Sequence, residues 1–313
     1  MTPVASSTIT VAVLGGGVGG LSAAHELAER GYAVTVYERQ AALGGKARSM
    51  PAPGTGTGGR KDLPGEHGFR FFPGFYKHIT DTMRRIPFGA GGASCADNLV
   101  LATRMPLARA GRPDPIWITR LPETHDDFRT ALLALFDDLD LPKHEIAFFV
   151  TRVLGLATSC EDRFHQEFEH VSFWDFIGAR TRSENYRRYL GQGMTRSTAS
   201  SSTCVAISRW HTATRSLLIN HDGSLALRPE AHTEIGNLFL ASDYVRTYTD
   251  LATMEAANEA ARRATNAILA VSGVTAPPCG LWQFDIPKPM RDAQVLDKLR
   301  FRMGLPNLIL SAK

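Results

Sequence analysis

The chain is poor in cysteine and has none in a pair. Cys95, Cys160, Cys204 and Cys279 are its four; they stand far apart with no C-x-x-C, so isolated reduced thiols are expected, not a metal cluster or a disulfide framework. Long apolar runs are also missing. No stretch approaches the roughly eighteen uninterrupted apolar residues of a spanning helix, so a soluble cytoplasmic protein, at most peripheral to a membrane, is expected. The opening MTPVASSTIT has no basic region, and glycines break the apolar run after it, so no signal peptide is expected. Charge of one sign is never concentrated: the formal net charge is +4 without a block of like charges, which argues against a nucleic-acid partner. There is no G-x-S-x-G, no H-E-x-x-H and no triad, and the 10 histidines are scattered. Hydrolytic and metal-centred chemistries therefore have no foothold, and no metal is expected.

What is present is concentrated near the start. Thr8 to Leu14 (TITVAVL) is β-branched and apolar, as a strand buried on both faces of a parallel sheet should be. Gly15-Gly16-Gly17-Val18-Gly19-Gly20 follows and satisfies G-x-G-x-x-G at Gly15, Gly17 and Gly20. Leu21 to Arg30 then reads as a helix with Leu21, Ala24 and Leu27 on one side. Gly15 permits the tight turn, Gly17 lets a pyrophosphate approach the backbone, and Gly20 lets helix pack on strand, with the helix amides aimed at phosphate. Gly31 ends the helix, Ala33 to Tyr37 forms a second strand, and Glu38 falls where a carboxylate can bind both hydroxyls of an adenosine ribose. Strand, glycine turn, helix, strand and acid in register predict a Rossmann-type dinucleotide domain.

The residues after Glu38 narrow the choice of dinucleotide. Arg39, a short spacer, then Gly44-Gly45-Lys46 resembles the FAD signature of flavin amine oxidases and phytoene desaturase-like enzymes, in which the basic residue is usually arginine. Lys46 can still neutralise phosphate as a point charge. A stretch rich in Pro, Gly and Thr from Pro51 to Lys61, expected to be flexible, precedes GEHGFRFFPGFY, which looks like the acid-x-Gly segment that such enzymes place beside the flavin. The resemblance puts Gly68 and Phe69 at the cofactor and makes His67 and Arg70 the first catalytic candidates. With DTMRRIP after it, this segment resembles most the phytoene desaturase and hydroxysqualene dehydroxylase-like subgroup. Core packing alone is the competing reading of these aromatics.

A second signature lies far downstream. Ile235 to Asp243 (IGNLFLASD) and Thr253 to Asn258 (TMEAAN), opening a helix to about Leu269, resemble the C-terminal FAD motif of the same superfamily. The resemblance implies an apolar strand delivering Asp243 to the ribityl chain, with Met254 and Ala257 near the flavin. Relatives commonly have glycine at Ala256.

The expected fold class is thus α/β: a Rossmann-like FAD-binding domain split in sequence, with a mainly helical substrate cap. The expected divisions are 1–93 and 204–275 for the two FAD-binding halves, 94–203 for the cap, and 276–313 for a tail packed on the domain. Apolar spacing over Leu121 to Ser159 predicts two helices joined near Leu141-Pro142, extended by Val171 to Phe176 and by Tyr186, Tyr189 and Leu190. Helices that merely cover the sheet are the competing reading. At Ser197 to Thr203 relatives usually continue into a long substrate-domain sheet, so the chain looks internally shortened. The basic, apolar Lys298 to Leu310 reads as a docking helix, with lipid contact as the alternative.

The function implied is FAD-dependent removal of hydride from an apolar, isoprenoid-like small molecule. Amine oxidation on the same cofactor frame, and a flavin-binding remnant without activity, are the alternatives. The oligomeric state is left open.

Overall fold

A computed structural model describes residues 8–66, 70–89, 91–106, 116–118, 140–193 and 223–311. They divide into two compact units. One holds the described residues of 1–96 and 224–285; the other holds those of 97–200, Gly223 and 286–311. The carboxy-terminal residues expected on the dinucleotide domain are therefore shared: 276–285 lie with the first unit and 286–311 with the second.

In the first unit β1 (Thr10–Leu14), α1 (Val18–Glu29) and β2 (Ala33–Tyr37) make a parallel β-α-β unit, with Thr10 paired to Ala33 and Leu14 to Tyr37. α1 starts three residues before the expected Leu21. It ends as Gly31 predicts: Gly31 has φ +86, its N–H donates to Ala28 O, and the Tyr32 N–H reaches Leu27 O. That pair of bonds is a Schellman closure, and Leu27 and Tyr32 share an apolar cluster with Ile268, the contact that accompanies such caps.

The expectation of a strand buried on both faces fails. Burial alternates: Val13 is buried, whereas Leu14 is 83% and Tyr37 57% exposed. One face of β1 and β2 is covered by helices, and among the described residues the other is bare, so apolar composition overstated the burial. The stretch expected to be flexible differs as well. β3 (Met50–Pro51) pairs antiparallel with β4 (Pro64–Gly65), and between them Gly56 N–H donates to Asp62 Oδ1 and Leu63 N–H to Thr55 Oγ1. Its small polar residues close the loop upon itself.

α2 (His78–Arg85) and the 19-residue helix of Met254–Ser272 complete this unit. The latter, α4 in chain order, is alanine-rich where it is buried: Ala256, Ala260 and Ala261 are fully enclosed. Small side chains let α1 and α2 lie close, and Asn258 donates to Ser22 on α1 and Thr82 on α2. The strand expected to end at Asp243 is not formed. Phe239 makes a single bridge to His232, and Phe239, Leu240 and Ala241 pack against a buried cluster of Ala231, Val245, Ala260 and Ala264.

The second unit contains α3 (Lys143–Ala157), the second of the two helices expected around Pro142; the first falls outside the described residues, as does Ser197 to Thr203. Phe149, Phe176, Ile177, Tyr186 and Leu190 form its core. The Tyr186 hydroxyl donates to Ile177 O, and burial pushes its pKa up to about 12. β5 (Arg104–Pro106) and β6 (Ile116–Ile118) form an antiparallel pair in this unit. α5 (Lys288–Arg302) docks through Asp297, which binds the buried Arg163 and the Cys160 amide. Its outer side keeps Val295, Leu296, Leu299 and Met303 exposed. No helix among the described residues is long and apolar enough to cross a membrane.

Candidate dinucleotide site

Gly15 leaves β1 at φ +113, a conformation open to glycine and strained for other residues, and its N–H donates to Tyr37 O at 2.7 Å. The chain then turns into α1, whose N-cap, Gly17, has no side chain to occupy the first amides. A Cβ on Gly20 would strike the Gly15 carbonyl oxygen and meet Val13 at 3.2 Å, so the helix packs on the strand only because Gly20 is bare. Gly17 differs. A Cβ there would come no nearer than 4.0 Å to another described atom, that atom being Gly45 Cα. Gly20 serves the fold, and the space before Gly17 is open to a ligand.

Glu38 sits at the end of β2, as its position in sequence predicts. Its Oε2 accepts from Gly16 N–H at 2.7 Å and its Oε1 from Gln40 N–H at 2.8 Å. These two amides, Gln40 first, hold the carboxyl below the usual glutamate range. Each oxygen keeps a further lone pair, so the carboxylate can still accept a ribose diol. Gly44, at φ +108, donates to Gly16 O at 2.7 Å, and Gly45 folds against Gly17. The second glycine pair thus forms the wall of the first glycine loop, with Arg39 and Lys46 exposed at its rim. Arg70 is bound to Ala47 O and to Glu66, placing it behind this wall as a brace. His67, Gly68 and Phe69 lie outside the described residues.

A downstream segment packs against the start of α1. Gly19 lies so close to Ala241 and Ser242 that a Cβ would overlap the Ala241 carbonyl oxygen. The segment ending in Asp243 is thereby set against the start of α1, and Ser242 Oγ donates to Asp243 Oδ1 at 3.1 Å. Past a loop, Thr253 caps α4: its Oγ1 accepts from Ala256 N–H, and its carbonyl from Ala257 N–H. Those two amides are satisfied within the helix and are not available to a ligand. Met254 is half-buried and Ala257 buried.

Sequence reasoning missed a buried polar network beneath the site. Glu255, 1% exposed, accepts from the Lys77, His78 and Ile79 amides at the start of α2 and from His78 Nδ1. Burial opposes its charge, but the hydrogen bonds from His78 and Ile79 prevail and its pKa is lowered. Arg262, 2% exposed, binds Asp81, Thr82, Asn258 and the fully buried Glu26. Cys279 lies 3.5 Å from Glu26, and burial followed by that carboxylate's charge pushes its thiol up to about 12. The available signal was spacing: residues 255, 258, 259 and 262 fall on one face among alanines. Among the described residues no group of histidine, cysteine or carboxylate could hold a metal.

Residues 13–86 match the family model described as an NAD(P)-binding Rossmann-like domain. The chain is 42% identical over 77 residues to the carotenoid phi-ring synthase of Streptomyces griseus, covering 24% of this chain and 14% of that protein. It is 36% identical over 108 residues to the hydroxyneurosporene desaturase of Rhodobacter capsulatus, covering 34% of this chain and 19% of that protein. These matches thus span less than a fifth of either relative's length.

Proposed function

From a chain that carries an NAD(P)-binding Rossmann-like domain and is similar to carotenoid-modifying proteins of the phytoene desaturase-like kind, we propose an FAD-dependent oxidoreductase that dehydrogenates an apolar, isoprenoid-like substrate. The observation that carries this reading is the convergence at α1: Glu38 grips the glycine loop from one side, and the Asp243 segment abuts Gly19 from the other. The FAD-binding domain is on this reading split in sequence, its halves in 1–93 and 204–275, with 94–203 as a mainly helical substrate region.

The residues present fit the cofactor, because the open space at Gly17 and the uncapped start of α1 suit a pyrophosphate. Bound FAD supplies the two-electron acceptor for hydride taken from carbon. Gly15, Gly17, Gly19 and Gly20 shape the phosphate turn, Glu38 takes the adenosine ribose, and Gly44, Gly45, Lys46 and Arg39 close the phosphate side. Asp243 takes the ribityl chain, and Met254 and Ala257 line the approach to the ring. Gly68 and Phe69 belong with the cofactor-binding set, and His67 and Arg70 are the catalytic candidates; Arg70 also binds the carbonyl of Ala47 in the Gly45 turn.

The exposed apolar stripe of α5, flanked by Lys298 and Arg302, suits a peripheral contact with an anionic lipid surface, from which such a substrate would come. A second reading, a dinucleotide-binding module without a complete substrate chamber, is favoured by the bare face carrying Leu14 and Tyr37. One absorption spectrum of the purified protein, then titration with polyenes and with amines, separates these. Flavin bands bleached by a polyene support the proposal, bleaching by amines alone supports amine oxidation, stable bands support the module, and a colourless protein that takes up no added FAD refutes the cofactor.

A further inference from the structure

The loop from Asp243 to Asp250 joins the second carboxylate motif to the cap of α4, and two buried charges hold its backbone. Arg228, 8% exposed, donates from Nη1 to the Asp243 carbonyl at 2.8 Å and to Val245 O at 3.4 Å, and from Nη2 to Asp250 O at 3.0 Å. Glu259, fully buried on α4, accepts from Tyr248 N–H at 2.8 Å and from Thr249 Oγ1 at 3.4 Å. Arg263 neutralises Glu259 at 2.8 Å and lies over the Tyr248 ring. Between these anchors Asp250, at φ +45, exchanges bonds with Thr247: its Oδ1 accepts from Thr247 N–H and its N–H donates to Thr247 Oγ1.

A surface loop closed only for stability needs short turn bonds, which this one already has. Burying a guanidinium and a carboxylate against main chain is far more demanding, because each must find partners for nearly all its polar atoms. The result is a peptide at Asp243 fixed on both sides, by Gly19 before it and by Arg228 after it.

We propose that Arg228 and Glu259 are positioning residues for the cofactor: they splint the 243–250 loop so that the Asp243 carboxylate is presented at a fixed place beside the glycine loop. This rests on the FAD reading above. The splint acts through the backbone of Asp243 and touches no reacting atom.

The test compares full-length wild type, Arg228→Met, Arg228→Lys and Glu259→Gln, with Arg163→Met as a control for losing a buried arginine in the other unit. Added FAD is the probe, and three quantities are read: its Kd, the visible circular dichroism of the bound flavin at saturation, and the melting temperature of the protein without it. Arg228→Met is expected to weaken FAD binding about tenfold to a hundredfold, as loss of one or two charge-assisted hydrogen bonds implies. It should also alter the dichroism of the flavin that still binds. Arg228→Lys should recover part of both, Glu259→Gln should act in the same direction, and Arg163→Met should lower melting while leaving Kd and dichroism unchanged. Arg228→Met with a Kd within about twofold of wild type and an unchanged spectrum overturns the splint and leaves the FAD reading standing. Equal loss of affinity in Arg163→Met also overturns it, as instability alone. A wild type that binds no FAD overturns the cofactor reading, and this proposal with it.

Discussion

Glu255 Oε1 lies 2.8 Å from His78 Nδ1, both groups being all but enclosed, while the Trp282 N–H reaches His78 Nε2 at 3.0 Å. With Nε2 accepting from the Trp282 amide, Nδ1 is the ring nitrogen that faces Glu255. The first turn of α4, the first turn of α2 and the strap through Trp282 meet in this joint.

Breaking the joint should loosen the whole first unit. Glu255→Gln leaves the shape but sets an amide against three backbone donors, and a destabilisation of about 1–3 kcal/mol is expected. Urea unfolding monitored by tryptophan fluorescence measures it; a midpoint unchanged from wild type would show that these bonds contribute nothing net.

Acid should act through the same residues. The folded-state pKa values of Glu255 and Glu26 are lowered from their ordinary 4.5 and that of Asp81 from 3.8; at Glu26 and Asp81 arginines outweigh burial. A lowered carboxyl stabilises the fold fully above its unfolded value and loses that contribution as pH falls through the folded one. Melting temperature should therefore hold above pH 4.5 and fall below it. Asp250, raised by burial, acts in the opposite sense and blunts the slope. A melting temperature flat well below that pH would contradict the prediction.

Two glycines separate folding from binding. Gly20→Ala drives a Cβ into the Gly15 carbonyl and should destabilise by about 1–3 kcal/mol. A Cβ in Gly17→Ala meets no described atom nearer than 4.0 Å, so melting without ligand should barely move while FAD affinity drops. Calorimetry beside an FAD titration reads both, and the idea fails if Gly17→Ala binds FAD as wild type does.

The outer stripe of α5 offers a fourth test. Val295→Glu with Leu299→Glu should leave the unfolding free energy within about 0.5 kcal/mol of wild type, since both side chains are exposed, and should release the protein from anionic vesicles in a flotation assay. Absence of wild-type protein from the floated fraction would remove the lipid proposal.

The amino-terminal half of the site was readable because each residue there answers a local demand: Gly15 a positive φ, Gly20 a close approach, Gly31 a helix end, Glu38 the end of a strand. The resemblance at Asp243 was readable as a motif, but its strand was not formed, since Phe239 to Ala241 pack against the cluster of Ala231, Val245, Ala260 and Ala264 in place of pairing along a sheet. Glu26, Glu255 and Arg262 were invisible for a different reason. Charged residues on a helix read as solvated, and only tertiary partners from distant segments make their burial tolerable. Arg70 binds Ala47 O and Glu66, partners that spacing along the chain does not reveal.

Asn258 reaches Ser22 across 236 residues of chain, and α1 rests on α4 along its length. During synthesis the ribosome releases the glycine loop long before α4 exists, so the amino-terminal segment must wait with its apolar side uncovered. A dinucleotide that needs both helices is therefore captured only once α4 has emerged and folded onto α1.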